Sequence, residues 1–438
     1  MKMAFDFKSQ GSKFLFLSVI LVSLSIYFFR DSITLFPSFI HAWTQSDRYA
    51  LVFGFLNNGF DFFHPQTFNL ETVDGITRVD FPIHEYFVAL LMKLTGIHSP
   101  VVFRIYSLLY ALTGLVFLFR LSSLFSKSFF KNIFVVLFIF FCPVFLYYAD
   151  GFLPSIPSLS NLFIGYFFYF RYKTGKSKSD FRIAIFFLAL AALARLPFFI
   201  FLFAVFFQQL IVYFRNKRIE WNEIKAFTIA FLIFGGYQVY NSWLGEKYGT
   251  QFLTTFLPPS NSVDLIDWTM ATWSHWRFEY FTKAHYIILV LLSAMFLYQL
   301  WKKNISFRKN DDLLLQIVIA GSGSLIYFFL MLQQFPDHDY YFIDAFYPII
   351  SLLLIFMMRL SLADKILKYS PVITLSGLLV FSMIGGKKTQ QKRYETGYWT
   401  GWKSPGKILK EQQHFSIQSE FPKMIKSSFL TATRPTYH

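Results

Sequence analysis

Apolar residues occur in long runs along this chain, separated by short polar segments that carry most of the lysines and arginines. A bilayer has a hydrocarbon core of about 30 Å, which a helix of about 20 apolar residues crosses. The runs predict eleven spanning helices, at about residues 14–29, 100–120, 132–149, 157–171, 181–194, 196–213, 226–242, 284–301, 312–332, 341–358 and 371–385. Because no small-residue cleavage site precedes Arg30, we interpret the first run as a transmembrane helix rather than a signal peptide.

Two apolar stretches do not fit a single span. The run 181–214 would be about 50 Å long as one helix, and Pro197 interrupts it because proline cannot continue the helical hydrogen-bond ladder. We therefore predict a helical hairpin that turns at Arg195. The run 82–94 is too short to cross a bilayer, and we predict an interfacial helix there.

Lysine and arginine concentrate in alternate loops. The cationic loops are 120–131, 171–182, 215–225, 302–309 and 359–368. The short turns 150–156 and 333–340 contain neither residue. Cationic short loops face the cytoplasm, so we expect a cytoplasmic N-terminus. The outer side then receives a first loop at 31–99, a second loop at 243–283 and a basic tail at 386–438.

The composition agrees with a protein embedded in lipid. Apolar residues make up 55% and charged residues 15%, whereas ordinary globular domains carry about 25% charge. One cysteine excludes a disulfide scaffold. The net charge of +16 comes from the cationic loops, so no nucleic acid is expected as a partner. The absence of Walker, dinucleotide and Cys/His motifs argues against an ATP-driven pump or a redox enzyme. We expect an all-α polytopic membrane protein surrounded by membrane lipids.

The first outer loop contains an acidic residue close to the predicted membrane surface. Asp47 precedes Arg48 in the segment that begins at His41 and includes Gln45. A carboxylate in this position can act as a general base. Alternatively, Ser46 or Asp47 caps a helix that begins there. The sequence leaves both interpretations open.

A second acidic residue, Asp80, precedes the predicted interfacial helix. Asp80 is either an N-cap, with Pro82 in the first turn, or a functional group. If the helix begins early enough, Asp80 and His84 share one face, a spacing that can hold a metal ion. A divalent metal ion is therefore a possible cofactor, and a structural role for the pair is the alternative.

Two further elements carry candidate chemistry. The turn Asp337–Tyr341 combines two acids, a histidine and two tyrosines, although its acids can also act as caps and its tyrosines as interfacial aromatics. Arg195 has no acidic residue near it in the sequence. It either snorkels to the interface or binds a phosphate.

These segments together resemble a known enzyme family. The residues Trp43–Tyr49, the Asp80–Ile83 element and Arg104 at the start of a span resemble GT-C glycosyltransferases of the protein-mannosyltransferase and aminoarabinose-transferase type (glycosyltransferase family 39-like). Arg195-Leu196-Pro197 and the Asp337–Tyr341 turn are similar to elements of bacterial members. The resemblance covers about residues 10–385, and we expect a glycosyltransferase domain over 1–385. Only one acid occurs at Asp47-Arg48, and no sizeable C-terminal domain follows, so the acceptor is left open.

The resemblance implies transfer of a sugar from a polyprenyl-phosphate donor to a glycan, lipid or protein acceptor. The reaction would take place at the outer face of a bacterial cytoplasmic membrane. Asp47 would be the general base, and Asp80 would orient the substrate or help to hold a metal. Because the leaving phosphate develops negative charge, we expect the donor to contact Arg48, Arg195, His338, Tyr340 and Tyr341. We expect substrate positioning by His41, Gln45 and Asp339.

Two other functions remain open. The chain can be a transporter or flippase for a lipid-linked or anionic solute, with Arg195 as an anchor, or a non-catalytic subunit of an envelope assembly. A transporter needs polar groups near the middle of the bilayer. The predicted spans 132–149, 196–213 and 341–358 are nearly bare of charge, which favours the enzyme.

Overall fold

The computed structural model describes residues 10–37, 40–68, 72–217, 220–250, 252, 255–302, 311–361 and 369–395. Over these residues the protein is all-helical, without a β-strand, as predicted. The helices are α1 (Gln10–Phe29), α2 (Ala42–Asn57), α3 (Ile83–Thr95), α4 (Pro100–Phe125), α5 (Phe129–Phe140), α6 (Pro143–Tyr148), α7 (Ser155–Gly175), α8 (Lys178–Ala194), α9 (Phe199–Asn216), α10 (Trp221–Tyr248), α11 (Ser262–Tyr280), α12 (Lys283–Trp301), α13 (Asp312–Leu330), α14 (Tyr341–Ala345), α15 (Tyr347–Ser361) and α16 (Tyr369–Glu395).

Within the described ranges, five helical segments are long and apolar enough to cross a membrane. They are Gly11–Phe29, Pro100–Phe125, Leu196–Asn216, Lys283–Trp301 and Asp312–Leu330. Two further apolar helices, at Phe129–Phe140 and Tyr347–Leu360, are shorter. These helices are consistent with a membrane protein, and the total of eleven spans stays a prediction.

Two of the predicted single spans are each divided into two helices. In 132–149, α5 ends at Phe140 and α6 begins at Pro143. In 341–358, α14 ends at Ala345 and α15 begins one residue before Pro348. Proline has no N–H for the helical ladder and fits only in the first turn of a helix, so each proline begins a new helix.

The predicted hairpin at Arg195 is present. α8 ends at Ala194, Arg195 is extended (φ −152°, ψ 108°), and a short 3-10 turn that contains Pro197 leads into α9. Lys173, which precedes α8, donates a hydrogen bond of 3.2 Å to Gln209, near the end of α9. α9 therefore returns to the end of the bundle from which α8 started.

The segments around the first loop also fold into helices. α3 covers the run that we predicted as an interfacial helix, and its residues Val88 and Met92 pack in one apolar cluster with Val52 and Phe55 of α2. The last helix, α16, continues to Glu395, so the first part of the segment that we predicted as a tail is helical. The rest of that segment, 396–438, lies outside the described residues.

Charged residues collect at both ends of the helices, with a phenylalanine-rich core between them. At one end, Lys173 pairs with Asp312 at 3.1 Å and Arg359 pairs with Asp311. This end contains the described parts of the loops that we predicted to be cytoplasmic. The opposite end contains Arg195 and all the other candidate site residues.

Candidate active site

The start of α2 determines the position of Asp47. α2 begins directly after His41, which adopts a left-handed conformation (φ 54°) and makes no capping hydrogen bond through its side chain. Asp47 therefore lies inside the helix, in its second turn, and the interpretation of Ser46 or Asp47 as a helix cap is wrong. Asp47 and Arg48 follow Thr44 by three and four residues. This spacing places each of them on the face of α2 that carries Thr44.

That face of α2 points toward the other candidate residues. The Thr44 side chain lies close to the Tyr340 hydroxyl, and Arg48 pairs with Asp80. Asp47 is buried, with 8% of its surface exposed. The carboxylate predicted as the general base therefore belongs to a helix face that is directed into the candidate site.

Five residues form a group of alternating charges, which we name the arginine cluster: Arg48, Asp80, Glu85, Arg195 and Asp344. The Arg48 guanidinium contacts Glu85 Oε1 at 3.2 Å and Asp80 Oδ2 at 3.1 Å. Arg195 Nη1 lies 3.5 Å from the same Asp80 oxygen, and its Nε donates to Asp344 Oδ2 at 2.7 Å. Asp80 is thus shared between two guanidinium groups.

Asp80 is not a helix cap. α3 begins at Ile83 with Pro82 as its N-cap, so Asp80 precedes the helix and the N-cap interpretation is wrong. For the same reason, Asp80 and His84 do not share a helix face. The Asp80 side chain remains 23% exposed, whereas Glu85 is fully enclosed, and burial raises the pKa of Glu85 against the opposing effect of Arg48. Asp80 is therefore the carboxylate of the cluster that solvent or a ligand can reach.

Arg195 has protein partners that its sequence neighbourhood does not reveal. The sequence offers no acidic partner near Arg195, but in the fold Asp344 and Asp80 both contact it. Its Nη2 atom, however, is buried and has no hydrogen-bond partner among the described residues. The rings of Tyr340 and Tyr341 lie 5.3 and 5.5 Å from the guanidinium carbon. The two carboxylates therefore hold the Arg195 guanidinium in place, while its Nη2 atom still lacks a hydrogen-bond acceptor among the described residues.

A second group surrounds Asp339, and we name it the aspartate cluster: His41, Tyr148, Glu279, Asp339 and Arg393. Tyr148 donates to Asp339 Oδ1 at 2.8 Å, and His41 Nε2 lies 3.0 Å from the same oxygen. Arg393 Nη1 contacts Asp339 Oδ2 at 2.7 Å, and its Nε donates to Glu279 at 2.6 Å. Burial alone would raise the pKa of Asp339, but Arg393 and His41 hold it below its usual range.

Aromatic rings join the two clusters. His338 stacks on Tyr341 with a centroid distance of 5.0 Å and on His41 at 6.0 Å. Tyr340 lies edge-on to His41 at 5.4 Å and beside Arg195. Burial, with the nearby His41, lowers the pKa of His338 to about 4. His338, Asp339, Tyr340 and Tyr341 therefore lie between Arg195 of one cluster and Arg393 of the other.

The metal site suggested by Asp80 and His84 has little support. His84 Nδ1 is 2.9 Å from the Tyr106 hydroxyl, and burial with the Arg48 charge lowers the pKa of His84 to about 3. Within the described ranges, no three His, Cys, Asp or Glu side chains are grouped so that they can hold a metal ion.

Several residues of the site were missed in the sequence. The predicted tail includes Arg393, although no proline interrupts the sequence between Gly386 and Arg393 and a helix can continue through it. Asp344 lies in an apolar run, where a carboxylate is itself a sign of function. Glu85 adjoins His84, and nothing in its sequence neighbourhood marks it as a partner of Arg48.

Two other contacts hold the loops around these clusters. Gln45 donates to the Ile40 carbonyl at 3.2 Å and accepts from the Phe152 amide at 3.4 Å, so it supports the start of α2. Arg104 pairs with buried Asp150 at 3.1 Å and donates to the Leu35 carbonyl at 2.7 Å. These contacts position the loop that carries His41.

The site combines groups that suit the transfer of an anionic leaving group. It places a fixed guanidinium, tyrosine hydroxyls and a buried carboxylate of α2 at one end of an apolar bundle. The comparison with known proteins adds no family to this description, since neither a protein-family model nor a curated protein matches the chain.

Proposed function

We propose that this protein is a membrane glycosyltransferase of GT-C type, which transfers a sugar from a polyprenyl-phosphate donor to an acceptor hydroxyl. The observation that carries the proposal is the state of Arg195. Asp344 fixes the guanidinium through Nε at 2.7 Å, while Nη2 is buried and lacks a hydrogen-bond partner among the described residues. A guanidinium held in this way presents a planar fork of donors, which matches the oxygens of a phosphate.

The donor phosphate would bind in exchange for Asp80. The Arg195–Asp80 contact is the longest in the arginine cluster, at 3.5 Å, and Asp80 is the most exposed of its carboxylates. A phosphate can replace this contact while Arg48 continues to hold Asp80 at 3.1 Å. Arg195, with the hydroxyls of Tyr340 and Tyr341, would then stabilise the negative charge that develops on the leaving phosphate.

Asp47 would act as the general base. The acceptor oxygen attacks the anomeric carbon of the sugar while the bond from that carbon to the phosphate oxygen breaks. The acceptor proton passes to the Asp47 carboxylate, and the polyprenyl phosphate leaves with the bonding electrons. His41, Gln45 and Asp339 would position the substrates through the network that fixes the start of α2.

The location of the site suits a lipid-linked donor. The arginine cluster lies at the end of helices that are long and apolar enough to cross a membrane, and a polyprenyl chain can enter such a site sideways from the bilayer. As parts of the same proposal, the chain has eleven spans and the site opens on the outer face of a bacterial cytoplasmic membrane. Its acceptor is a glycan, lipid or protein.

The test is sugar transfer from a purified polyprenyl-phosphate donor by the full-length protein and by Asp47→Asn. The asparagine keeps the shape of the side chain but cannot accept the proton, so we expect turnover to fall by roughly 10²–10⁴-fold. Donor binding and the amount of folded protein should stay at the wild-type level.

Asp267→Asn is the matched control, because Asp267 is an exposed acid of α11 outside both clusters, and it should leave turnover unchanged. Turnover of Asp47→Asn within a few fold of the wild-type value would remove the base assignment. Movement of the donor across the membrane without cleavage of its sugar–phosphate bond would instead identify a transporter.

A further inference from the structure

The helix α11, in the predicted second outer loop, packs on the protein with only one of its faces. Thr272 and Tyr280 on this face are buried. Trp276, on the same face, donates through Nε1 to the Pro336 carbonyl at 2.8 Å. The rest of the helix surface is exposed and divides into an apolar part and a polar part.

The apolar part is a row of four side chains, which we name the α11 stripe: Val263, Ile266, Met270 and Trp273. They are three or four positions apart, so they line up along one side of the helix. Each is at least half exposed, and the described part of the chain leaves this row uncovered. The adjoining polar part carries Asp267 and Ser274, which are also exposed. An apolar row beside a polar one is typical of a helix at the boundary between lipid and water.

Both ends of α11 are tied to the ends of apolar helices. Before α11, the Leu257 amide donates to the carbonyl of Leu330, the last residue of α13, at 2.9 Å. In its last turn, the Arg277 carbonyl accepts from the hydroxyl of Tyr286, in the first turn of α12, at 2.6 Å. The chain from Leu257 to Ser262 reaches about 18 Å at most, whereas α11, with 19 residues, is about 28 Å long. The helix therefore runs along the end of the bundle instead of projecting from it.

The α11 stripe continues into a surface that lipid can cover. α12 is long and apolar enough to cross a membrane, and Tyr286, Val290 and Leu297 follow one side of it. Val290 and Leu297 are exposed. The ring of Trp273, at the end of the stripe, lies 6.0 Å from the Tyr286 ring. Acyl chains around α12 therefore reach the stripe.

We propose that α11 lies in the surface of the bilayer, with the α11 stripe against acyl chains and with Asp267 and Ser274 turned to water. Tryptophan is enriched at this depth, which suits Trp273. The helix contains three acids and one arginine, so attraction to anionic headgroups does not hold it. The burial of apolar surface supplies the binding, and a neutral phospholipid is a sufficient partner.

This placement sets the depth of the aspartate cluster. Glu279 of α11 pairs with Arg393 of that cluster at 2.6 Å. Glu279 lies on the side of the helix away from the stripe, since it follows Trp273 by six residues. The aspartate cluster is then separated from the lipid by a single helix and lies at the level of the headgroups.

The test uses the full-length protein in nanodiscs of phosphatidylcholine, with a nitroxide on one introduced cysteine at a time. The native Cys142 is buried and should label little. Power saturation in electron paramagnetic resonance measures collisions with oxygen, which dissolves in lipid, and with a nickel chelate, which stays in water. We expect Ile266→Cys and Met270→Cys to collide mainly with oxygen, at a depth of about 5–10 Å. Val290→Cys is the reference for a label in lipid.

Asp267→Cys and Ser274→Cys are the matched controls on the polar part of the same helix, and they should collide mainly with nickel. Nickel collisions at Ile266→Cys and Met270→Cys equal to those of the controls would show that the stripe faces water. Few collisions with either reagent would show that protein covers it, either a second copy or the segment 396–438. Both results overturn the inference. The labels should behave alike in an Asp47→Asn background, so a failure of the transferase proposal leaves this result unchanged, and the reverse also holds.

Discussion

The Arg195 guanidinium is enclosed by two carboxylates and two tyrosine rings, so its replacement affects both folding and binding. Arg195→Ala would leave Asp344 as a buried charge without a partner, and removal of one member of such a pair costs about 3–5 kcal/mol. Arg195→Lys keeps a positive charge but loses the planar fork. We expect donor binding, measured by titration with a polyprenyl-phosphate sugar, to weaken far more in the alanine variant than in the lysine variant.

The double variant Arg195→Ala with Asp344→Asn separates the two effects. Neutralising Asp344 removes the uncompensated charge, so the temperature of thermal unfolding should recover part of the loss caused by Arg195→Ala. Donor binding should not recover, because the guanidinium is still absent. Wild-type donor affinity in the alanine variant would show that Arg195 is only a structural ion-pair partner.

His338 makes folding stability depend on pH. Its pKa is about 4 in the folded protein because it is buried beside His41, and about 6.5 in the unfolded chain. Between these values the unfolded chain binds the proton more readily, so this contribution to stability is fully present above about pH 6.5 and decreases as the pH falls toward 4. We expect the unfolding temperature of the wild-type protein to drop between pH 7 and pH 5.

His338→Asn is the comparison for this effect, since asparagine is neutral and can still donate to the Gln334 carbonyl that His338 Nδ1 contacts at 2.9 Å. The drop in unfolding temperature should be smaller in this variant. His84, whose pKa is also lowered, contributes in the same direction to both proteins and cancels in the difference. Equal drops in the two proteins would contradict the assignment.

At the level of helices, the positions of the apolar runs were enough to predict most of the fold. Each predicted span coincides with one or two helices. In lipid the backbone N–H and C=O groups of an apolar run find no water, and a helix without proline lets them form hydrogen bonds with one another. The errors lie at Pro143 and Pro348, where one run holds two helices. The start of α2 was also predicted too late, because His41 adopts a left-handed conformation without a side-chain cap, so neither Ser46 nor Asp47 marks the helix start.

The contact between α4 and α7 depends on a glycine. A Cβ atom added at Gly114 would lie 2.4 Å from Oγ and 2.8 Å from Cα of Ser160. Because the backbone of α7 cannot yield as a flexible side chain would, we expect Gly114→Ala to destabilise the protein by about 1–3 kcal/mol. Thermal unfolding of the purified protein measures this loss.

Gly236→Ala in α10 is the matched control, since an added Cβ there meets nothing within 4 Å. Alanine is the better helix former, so the control should unfold at the wild-type temperature or above. An unchanged unfolding temperature in Gly114→Ala would mean that α4 and α7 are not packed as closely as the structure has them.

At the level of the whole molecule, the candidate site could be predicted only in part. The sequence identified single residues such as Asp47, Asp80 and Arg195 by their unusual surroundings. It did not identify the partners, because Asp344 and Arg393 are distant along the chain from the groups they contact. Such pairs arise from the packing of helices, which no local pattern encodes. The number of spans, the orientation and the substrate stay predictions.

The orientation of the molecule can be tested with single cysteines. The chain contains one cysteine, Cys142, and it is buried, so background labelling should be low. Asp337 and Glu246 are exposed at the end that holds the arginine cluster, and Lys176 and Lys302 are exposed at or near the opposite end.

From the positive-inside distribution, we expect Asp337→Cys and Glu246→Cys to react with an impermeant thiol reagent in intact cells. Lys176→Cys and Lys302→Cys should react only after the membrane is opened. The reverse pattern would place Arg195 and Asp47 on the cytoplasmic side and rule out an outer-face reaction, whereas labelling at all four positions would indicate that the cells had leaked.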